Sequence, residues 1–529
     1  MHSKKVVLPL VVVAVLALAG SVLVWLSPGR SSTLVSPGSA EVARAEAARA
    51  VPGASTVDVT LTAAPTSVDI GGRAVQTWAF NGTVPGQTIR ASAGDVVRAR
   101  VVNDLTAPLT VHWHGIALRN DMDGVPDVTQ SPIAPGAGFT YQFTVANPGT
   151  YFYHSHVGTQ LDRGLYGALV VDQRAAAPAA TPDIPLLLDD WVDGTGQTPD
   201  EVLAMLQAAS RSGSASGASS GSMPGMDMGS PSAPAPAPSA AGATGGAMPG
   251  MDMGDSGVTA DQPLGTDTVD LRYPEYLVNG RTAAAPAVYP VKAGQQVQLR
   301  LINAAAETPF RVAFGGGGMT VVATDGYAVT PVTTDSLLIG MGERYDVRVT
   351  VPADGAFPLV AAVEGGSGQA MAVLRTGDGA LPAADARPAG LKSTPLRYDQ
   401  LHPTATDALP PGTADVTYKV QATGDMASYK WGLNAPTSGG ATLPVKLGQR
   451  VRLVLENTTT MWHPIHLHGH TFQLVSAAGT GPRKDTVIVP PRSTVTVEFI
   501  ADNPGQWLLH CHNVYHAEAG MSTTLSYVQ

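Results

Sequence analysis

A ten-residue frame occurs three times along the chain, as Gly94–Asn103 (GDVVRARVVN), Gly294–Asn303 (GQQVQLRLIN) and Gly448–Asn457 (GQRVRLVLEN). Each copy has a turn glycine, then apolar residues on alternate positions, then a closing asparagine. Period-two alternation marks a strand with one buried face. One such frame would be chance; three predict three copies of one β-sandwich. The surroundings agree, since Val57–Leu61, Val96–Val102 and Phe139–Val145 are short β-rich runs between clusters of Gly, Pro, Asn and Asp. A length of 529 residues also asks for several cores. Breaks in composition at 175–180 and 377–390 set the expected domains at 55–175, 183–390 and 391–529.

The repeats locate the histidines. Nine residues after Asn103 and after Asn457 stand His112 and His466, each followed two positions on by a second, His114 and His468. The Asn-Pro-Gly turns at 147–149 and 503–505 lead likewise to His154 and His156, and to His510 and His512. In the middle copy the same offsets land on Val312 and Phe314, and on Val360 and Ala362, so the middle domain reads as a spacer. Four stretches, 112–114, 154–156, 463–470 and 510–516, hold 11 of the 13 histidines. Alternate residues of a strand share a face, so each His-x-His pair offers two imidazoles to one cavity. A single pair is more often surface or core histidine. Four pairs at repeat-related offsets predict eight nitrogen ligands, suited to copper or another metal that favours imidazole.

Cys511 is the chain's one cysteine, so no internal disulfide is possible. Between His510 and His512, its side chain points to the opposite side of the strand, where it can meet His463, His516 and Met521. A thiolate, two imidazoles and a weak thioether define a blue-copper electron-transfer site. The plainer readings are a buried hydrophobe or a nucleophile for Cys511, and core packing for Met521.

These four motifs resemble those of the multicopper oxidases, and three sandwiches resemble their three-domain, laccase-like branch. The resemblance covers Val57–Gln529 apart from a Met-rich insertion. It implies an all-β chain of three cupredoxin-like Greek-key sandwiches holding four copper ions. By motif position, His112 and His466 resemble the type 2 ligands. His114, His154 and His512 resemble those of one type 3 copper, and His156, His468 and His510 those of the other. His463, Cys511 and His516 resemble the type 1 ligands, with Met521 axial. The resemblance implies that electrons enter singly at the type 1 copper and pass through Cys511 to His510 and His512. O2 is then reduced to two waters at the trinuclear cluster. His470 falls outside this pattern and reads as structural or as support for a ligand. Asp123 occupies a position where related copper efflux oxidases have an acidic proton relay, and it fits equally as a turn aspartate before Gly124. Those oxidases also have an acid directly after the last histidine of the fourth motif. Here that residue is Ala517, with Glu518 one further on.

Lys4 and Lys5 precede an apolar run from Val6 to Leu26. A run of that length reaches about 32 Å as a helix, enough to cross a bilayer's core. Positive charge before it puts the rest of the chain outside. Residues 1–30 are therefore expected to be an uncleaved anchor in preference to a cleaved signal, with 31–54 a spacer. The protein is expected at the cell surface or in a periplasm-like space, anchored or secreted after cleavage. The heptapeptide MPGMDMG occurs at 223–229 and 248–254, inside a Ser/Ala/Gly/Pro/Met tract, 208–257, expected to be disordered. Thioethers suit Cu(I), which predicts a copper-collecting segment; the plainer reading is a low-complexity linker.

Lys and Arg total 32 against 42 for Asp and Glu, a net charge of −10 that excludes the basic stripe a nucleic-acid partner needs. The expected function is a monomeric, extracytoplasmic oxidase acting on Cu(I), and on Fe(II) or phenols, with O2 as acceptor, in copper tolerance. The nearest rival is a general phenol-oxidising laccase. A rival from another class is a copper-binding protein without turnover, against which the His-Cys-His bridge argues.

Overall fold

The computed structural model describes residues 33–174, 181–213, 257–435, 442–476 and 479–529. The three frames are strands Val96–Asn103, Gln296–Asn303 and Arg450–Asn457. In the first, Val97, Ala99 and Val101 are buried while Arg98 and Arg100 face solvent, the pattern that alternation dictates. Each frame strand pairs in parallel with an earlier strand (Thr56–Asp69, Asp183–Trp191 and Val416–Asp425) and antiparallel with a later one (Gly138–Thr144, Arg344–Thr350 and Thr494–Ile500).

The closing asparagines do the same work three times. Asn103 donates to the carbonyls of Ala107 and Ile133, Asn303 to those of Thr308 and Ile339, and Asn457 to those of Met461 and Val489. Their side-chain oxygens accept from the N–H of Leu105, Ala305 and Thr459. Each thereby satisfies buried backbone groups in the loop that leads to the next strand.

Among the described residues the strands form six sheets, of four and four, seven and five, and six and five strands, giving three two-sheet sandwiches in an all-β architecture. In the first sandwich β1 (Val111–His114) pairs with β2 (Gly149–Ser155), setting His112 opposite His154. In the third, β3 (His463–Leu467) pairs with β4 (Gln506–Cys511), setting His466 opposite His510. The corresponding pair of the middle sandwich, Phe310–Phe314 and Ala356–Val363, sets Val312 opposite Ala361.

Several stretches differ from expectation. Within 31–54, read as a spacer, Ser39 caps helix α1 (Ala40–Arg49) by accepting from the Val42 N–H, and Val35 and Val42 are buried. Helix α2 (Pro199–Gly213) enters the tract expected to be disordered from 208. Both heptapeptides, the break at 175–180 and the run Val6–Leu26 lie outside the described residues. No helix among the described residues is long and apolar enough to cross a membrane. After 391 the chain still follows the middle sandwich: the Leu396 N–H donates to Ser336 and the Thr330 N–H to His402, and the third sandwich's first strand starts only at Val416.

Candidate metal centre

Strands β1 and β2 of the first sandwich face β3 and β4 of the third, and the eight paired histidines meet in the seam. His112 stacks on His468 and His114 on His466, each with ring centroids 3.8 Å apart. His154 lies 5.5 Å from His512, and His156 5.3 Å from His510. Backbone carbonyls fix several rings. Nδ1–H donates from His112 to Asp123, from His154 to Ser155, from His510 to Cys511 and from His466 to Asp485, at 2.8–2.9 Å. That leaves Nε2 as the free lone pair.

The fit to a metal rests on those lone pairs. Nε2 of His112, His154 and His466, Nδ1 of His114 and both nitrogens of His512 are buried without a partner. Native interiors rarely leave such atoms unpaired, and here they converge on one cavity. Ligand nitrogens of His112, His114 and His154, of His112, His466 and His468, and of His156, His468 and His510 fall within 4.8 Å of one another in each set. Burial first, and repulsion among neighbouring imidazoles second, holds His114, His154, His468, His510 and His512 well below the usual histidine range, and His156 at about 3. The rings are therefore neutral and able to ligate.

On the other side of β4, the Cys511 Sγ lies 3.9 Å from His463 Nδ1 and 3.8 Å from His516 Nδ1, and the three form a further ligand set. Burial pushes the thiol far up, so Cys511 is no free nucleophile. Nε2 of His463 bonds to the Thr459 hydroxyl at 2.9 Å, and Nε2 of His516 donates to Asp270 at 3.0 Å, turning both Nδ1 atoms towards the sulfur. Met521 is fully buried beside them: its N–H donates to the His516 carbonyl, and its own carbonyl accepts from the Cys511 N–H. Trp431 covers the group, 4.2 Å from the His516 ring and 5.3 Å from that of His463.

Asp123 is fully buried between the two sandwiches, 3.2 Å from Nδ1 of His112 and 2.9 Å from Nδ1 of His468. Its N–H also closes a 3-10 turn on Asn120, the turn position its place before Gly124 suggested. A small cavity reaches His154, His156, His510 and His512 and is lined by Ala517 and Glu518. Burial raises the Glu518 carboxyl above its ordinary range. His470 bonds to the His468 carbonyl and to the Tyr527 hydroxyl at 3.1 and 2.7 Å, away from the unpaired nitrogens.

The middle sandwich is more than the spacer its missing histidines suggested. A Cβ on Gly342, which has φ +81°, would stand 2.7 Å from His512 and 3.0 Å from His114. Arg344 grips Asp485 at 2.7 and 2.5 Å, and Asp485 accepts from His114 Nε2 at 3.1 Å. Against the pull of burial, Arg344 holds that carboxyl well below the usual range. Asp270, on the segment before the middle sandwich's strands resume, orients His516. None of these residues repeats a spacing, so only tertiary contact reveals them.

Family models described as multicopper oxidase match residues 62–176, 254–379 and 412–528. The chain is 44% identical over 493 residues to Multicopper oxidase MmcO of Mycobacterium tuberculosis, covering 92% of this chain and 90% of that one. It is 30% identical over 561 residues to a Copper resistance protein A homolog of Pseudomonas syringae pv. tomato, covering 89% and 92%. Among solved structures, a laccase from Botrytis aclada superposes with a TM-score of 0.68 at 27% identity, covering 90% of this chain and 88% of that one.

Proposed function

The chain belongs to the multicopper oxidase family, and from that premise we propose an extracytoplasmic enzyme that oxidises Cu(I) with O2 as acceptor, in copper tolerance. Copper is the family's cofactor. We assign four ions: type 1 to His463, Cys511, His516 and Met521, type 2 to His112 and His466, and the type 3 pair to His114, His154 and His512 and to His156, His468 and His510. Bound copper supplies the one-electron redox steps and the reduction of O2 to water. The observation that carries the reading is the two-sided β4 strand: Cys511 faces His463 and His516, while its chain neighbours His510 and His512 face the eight-imidazole seam. Electrons taken up on one side have a covalent path of one residue to the other.

The remaining residues hold and move protons. Asp123 keeps His112 and His468 in register across the seam and offers a carboxylate for a proton beside them. Glu518, which burial favours in its protonated form, is suited to deliver a proton through the cavity beside His154 and His156. Outer partners such as Thr459 and Asp270 fix the type 1 imidazoles.

Enclosure of that site supports Cu(I) over phenols. His463 and His516 are fully buried, the outer nitrogen of His516 is taken by Asp270, and Trp431 lies over both rings. No imidazole edge is left for an aromatic substrate, while the carboxyl groups of Asp270, bonded to His516, and of Asp267, which lies near enough to interact with both, suit a small cation. The relative named for copper resistance supports the role in copper tolerance. We further assign export to the run Val6–Leu26, Cu(I) collection to the two heptapeptides, and a monomeric state. Copper content, visible spectrum and O2 uptake on Cu(I) and a phenol at equal concentration test the proposal. Four coppers, a blue band and preference for Cu(I) are expected; preference for the phenol would replace it with a general laccase. Trp431→Ala is expected to raise kcat/KM for phenols about tenfold relative to Cu(I).

A further inference from the structure

The first sandwich supplies four imidazoles of the seam and the third supplies the other four, so their spacing decides whether the trinuclear ligands meet. We propose that residues 34–50 form a clasp that sets this spacing, with Arg49 and Asn503 as its positioning residues; the inference rests on the copper assignment above.

The clasp grips both sandwiches. At its start, the Val35 N–H donates to the Tyr527 carbonyl at 2.8 Å, Gln506 donates to the Val35 carbonyl at 2.9 Å, and Leu34 bridges to Val528. These partners belong to the third sandwich. At its end, the Glu46 carboxylate accepts from the Thr144 N–H of the first sandwich at 2.7 Å. Arg49 donates to Glu46 at 3.2 Å and to the Asn503 side-chain oxygen, in the third sandwich, at 2.7 Å.

Asn503 is where the clasp meets the seam. Its amide donates to Leu118 of the first sandwich and to Gly469 of the third, both at 2.9 Å. Arg49 takes the remaining oxygen and so fixes the amide's orientation. Gly469 directly follows His468, and His470 ties the His468 carbonyl to Tyr527, whose hydroxyl also accepts from the Asn503 N–H at 3.2 Å. On the facing side, Asn120 exchanges two hydrogen bonds with Gln506, at 2.6 and 2.9 Å, and begins the turn that ends at Asp123. The clasp and the imidazoles thus lie on one continuous seam.

The two kinds of copper site respond differently to a change of spacing. His463, Cys511, His516 and Met521 all belong to the third sandwich. His112 and His466 come one from each, so the type 2 ion has the fewest ligands and depends on the seam. Ligand positions must hold within about 0.2 Å for coordination. A loosened clasp therefore costs type 2 copper while sparing type 1, whereas general destabilisation costs both.

The test titrates copper into copper-free full-length wild type, Arg49→Ala and Arg44→Ala, reading the blue band for type 1 and the paramagnetic resonance signal for type 2. Arg44 lies on the same helix with its side chain 72% exposed, and serves as the control. In Arg49→Ala the copper concentration that half-fills type 2 is expected to rise about tenfold with type 1 filling unchanged. Amide exchange in the copper-free variant is expected to quicken at Gly469 and Asn120. Unchanged type 2 filling, or parallel loss of both signals, overturns the clasp. A wild type with no blue band overturns the oxidase reading and the clasp with it, and is told apart from the other outcomes by the wild-type spectrum alone.

Discussion

Asp485 ties together two sides of the seam: it holds both guanidinium arms of Arg344 and Nε2 of His114 on its carboxylate, and His466 on its carbonyl. All four residues are fully buried. Arg344→Met removes the one Lys or Arg charge that pairs with this carboxylate among the described residues. Leaving a buried charge unpaired costs about 3–5 kcal/mol, so the variant is expected to unfold at markedly lower denaturant than wild type. A variant with unchanged unfolding midpoint would show that the pair contributes little. At this scale the sequence was legible where chemistry repeats. The paired histidines announced themselves because two copies of one frame carry them at equal offsets, and Cys511 because it splits such a pair. Asp485, Gly342, Arg344 and Asp270 occur once each, at no repeated distance from a histidine, and their role arises only when three sandwiches close on one another.

The strand that ends in asparagine is the unit that repeats, and its end is worth more in the third sandwich than in the middle one. Among the described residues the Asn303 side chain serves three backbone groups, whereas that of Asn457 also accepts from the Thr459 hydroxyl at 2.8 Å, which meets His463 Nε2 at 2.9 Å. Replacing either by alanine strands several buried backbone groups and is expected to cost about 2–4 kcal/mol in unfolding measurements. Only Asn457→Ala is expected to shift the blue band, because it alone frees the partner of a type 1 imidazole. An equal spectral change in both variants would refute that link. Strands of this kind were readable from period-two alternation. Helix α1 was not, although Ser39, Glu41 in its first turn and Arg49 in its last are all helix signals. Its sequence is polar, with Val42 its one buried residue, so a window read for amphipathicity sees a spacer. The helix is held by Thr144 and Asn503, which lie far off in the chain.

The junction of all three sandwiches holds a group of carboxylates with no Lys or Arg partner among the described residues. Asp162 of the first sandwich accepts from Tyr273 and Tyr515, Asp189 of the middle one from Tyr166, and Glu307 from the Asp270 N–H. One oxygen each of Asp162, Asp189 and Glu307 is buried without a partner. Burial first, then repulsion from Asp190 on the two aspartates and from Asp270 on Glu307, raises all three well above the usual carboxylate range. The folded chain therefore keeps protons that the unfolded chain releases near pH 4, so this contribution is complete below about pH 4 and is lost as pH rises through the folded values. Each retained proton steepens the fall by about 1.4 kcal/mol per pH unit within that window. Asp162→Asn keeps an acceptor for the two tyrosines and removes one titration. Its Tm is expected to fall less than that of wild type as pH is raised from 6 to 9; an identical fall would mean that Asp162 is already ionised in the native junction. Such a junction assembles from three stretches more than twenty residues apart in the chain, each unremarkable alone. Packing the outer sandwiches against the middle one is what brings these separated acids together and raises them.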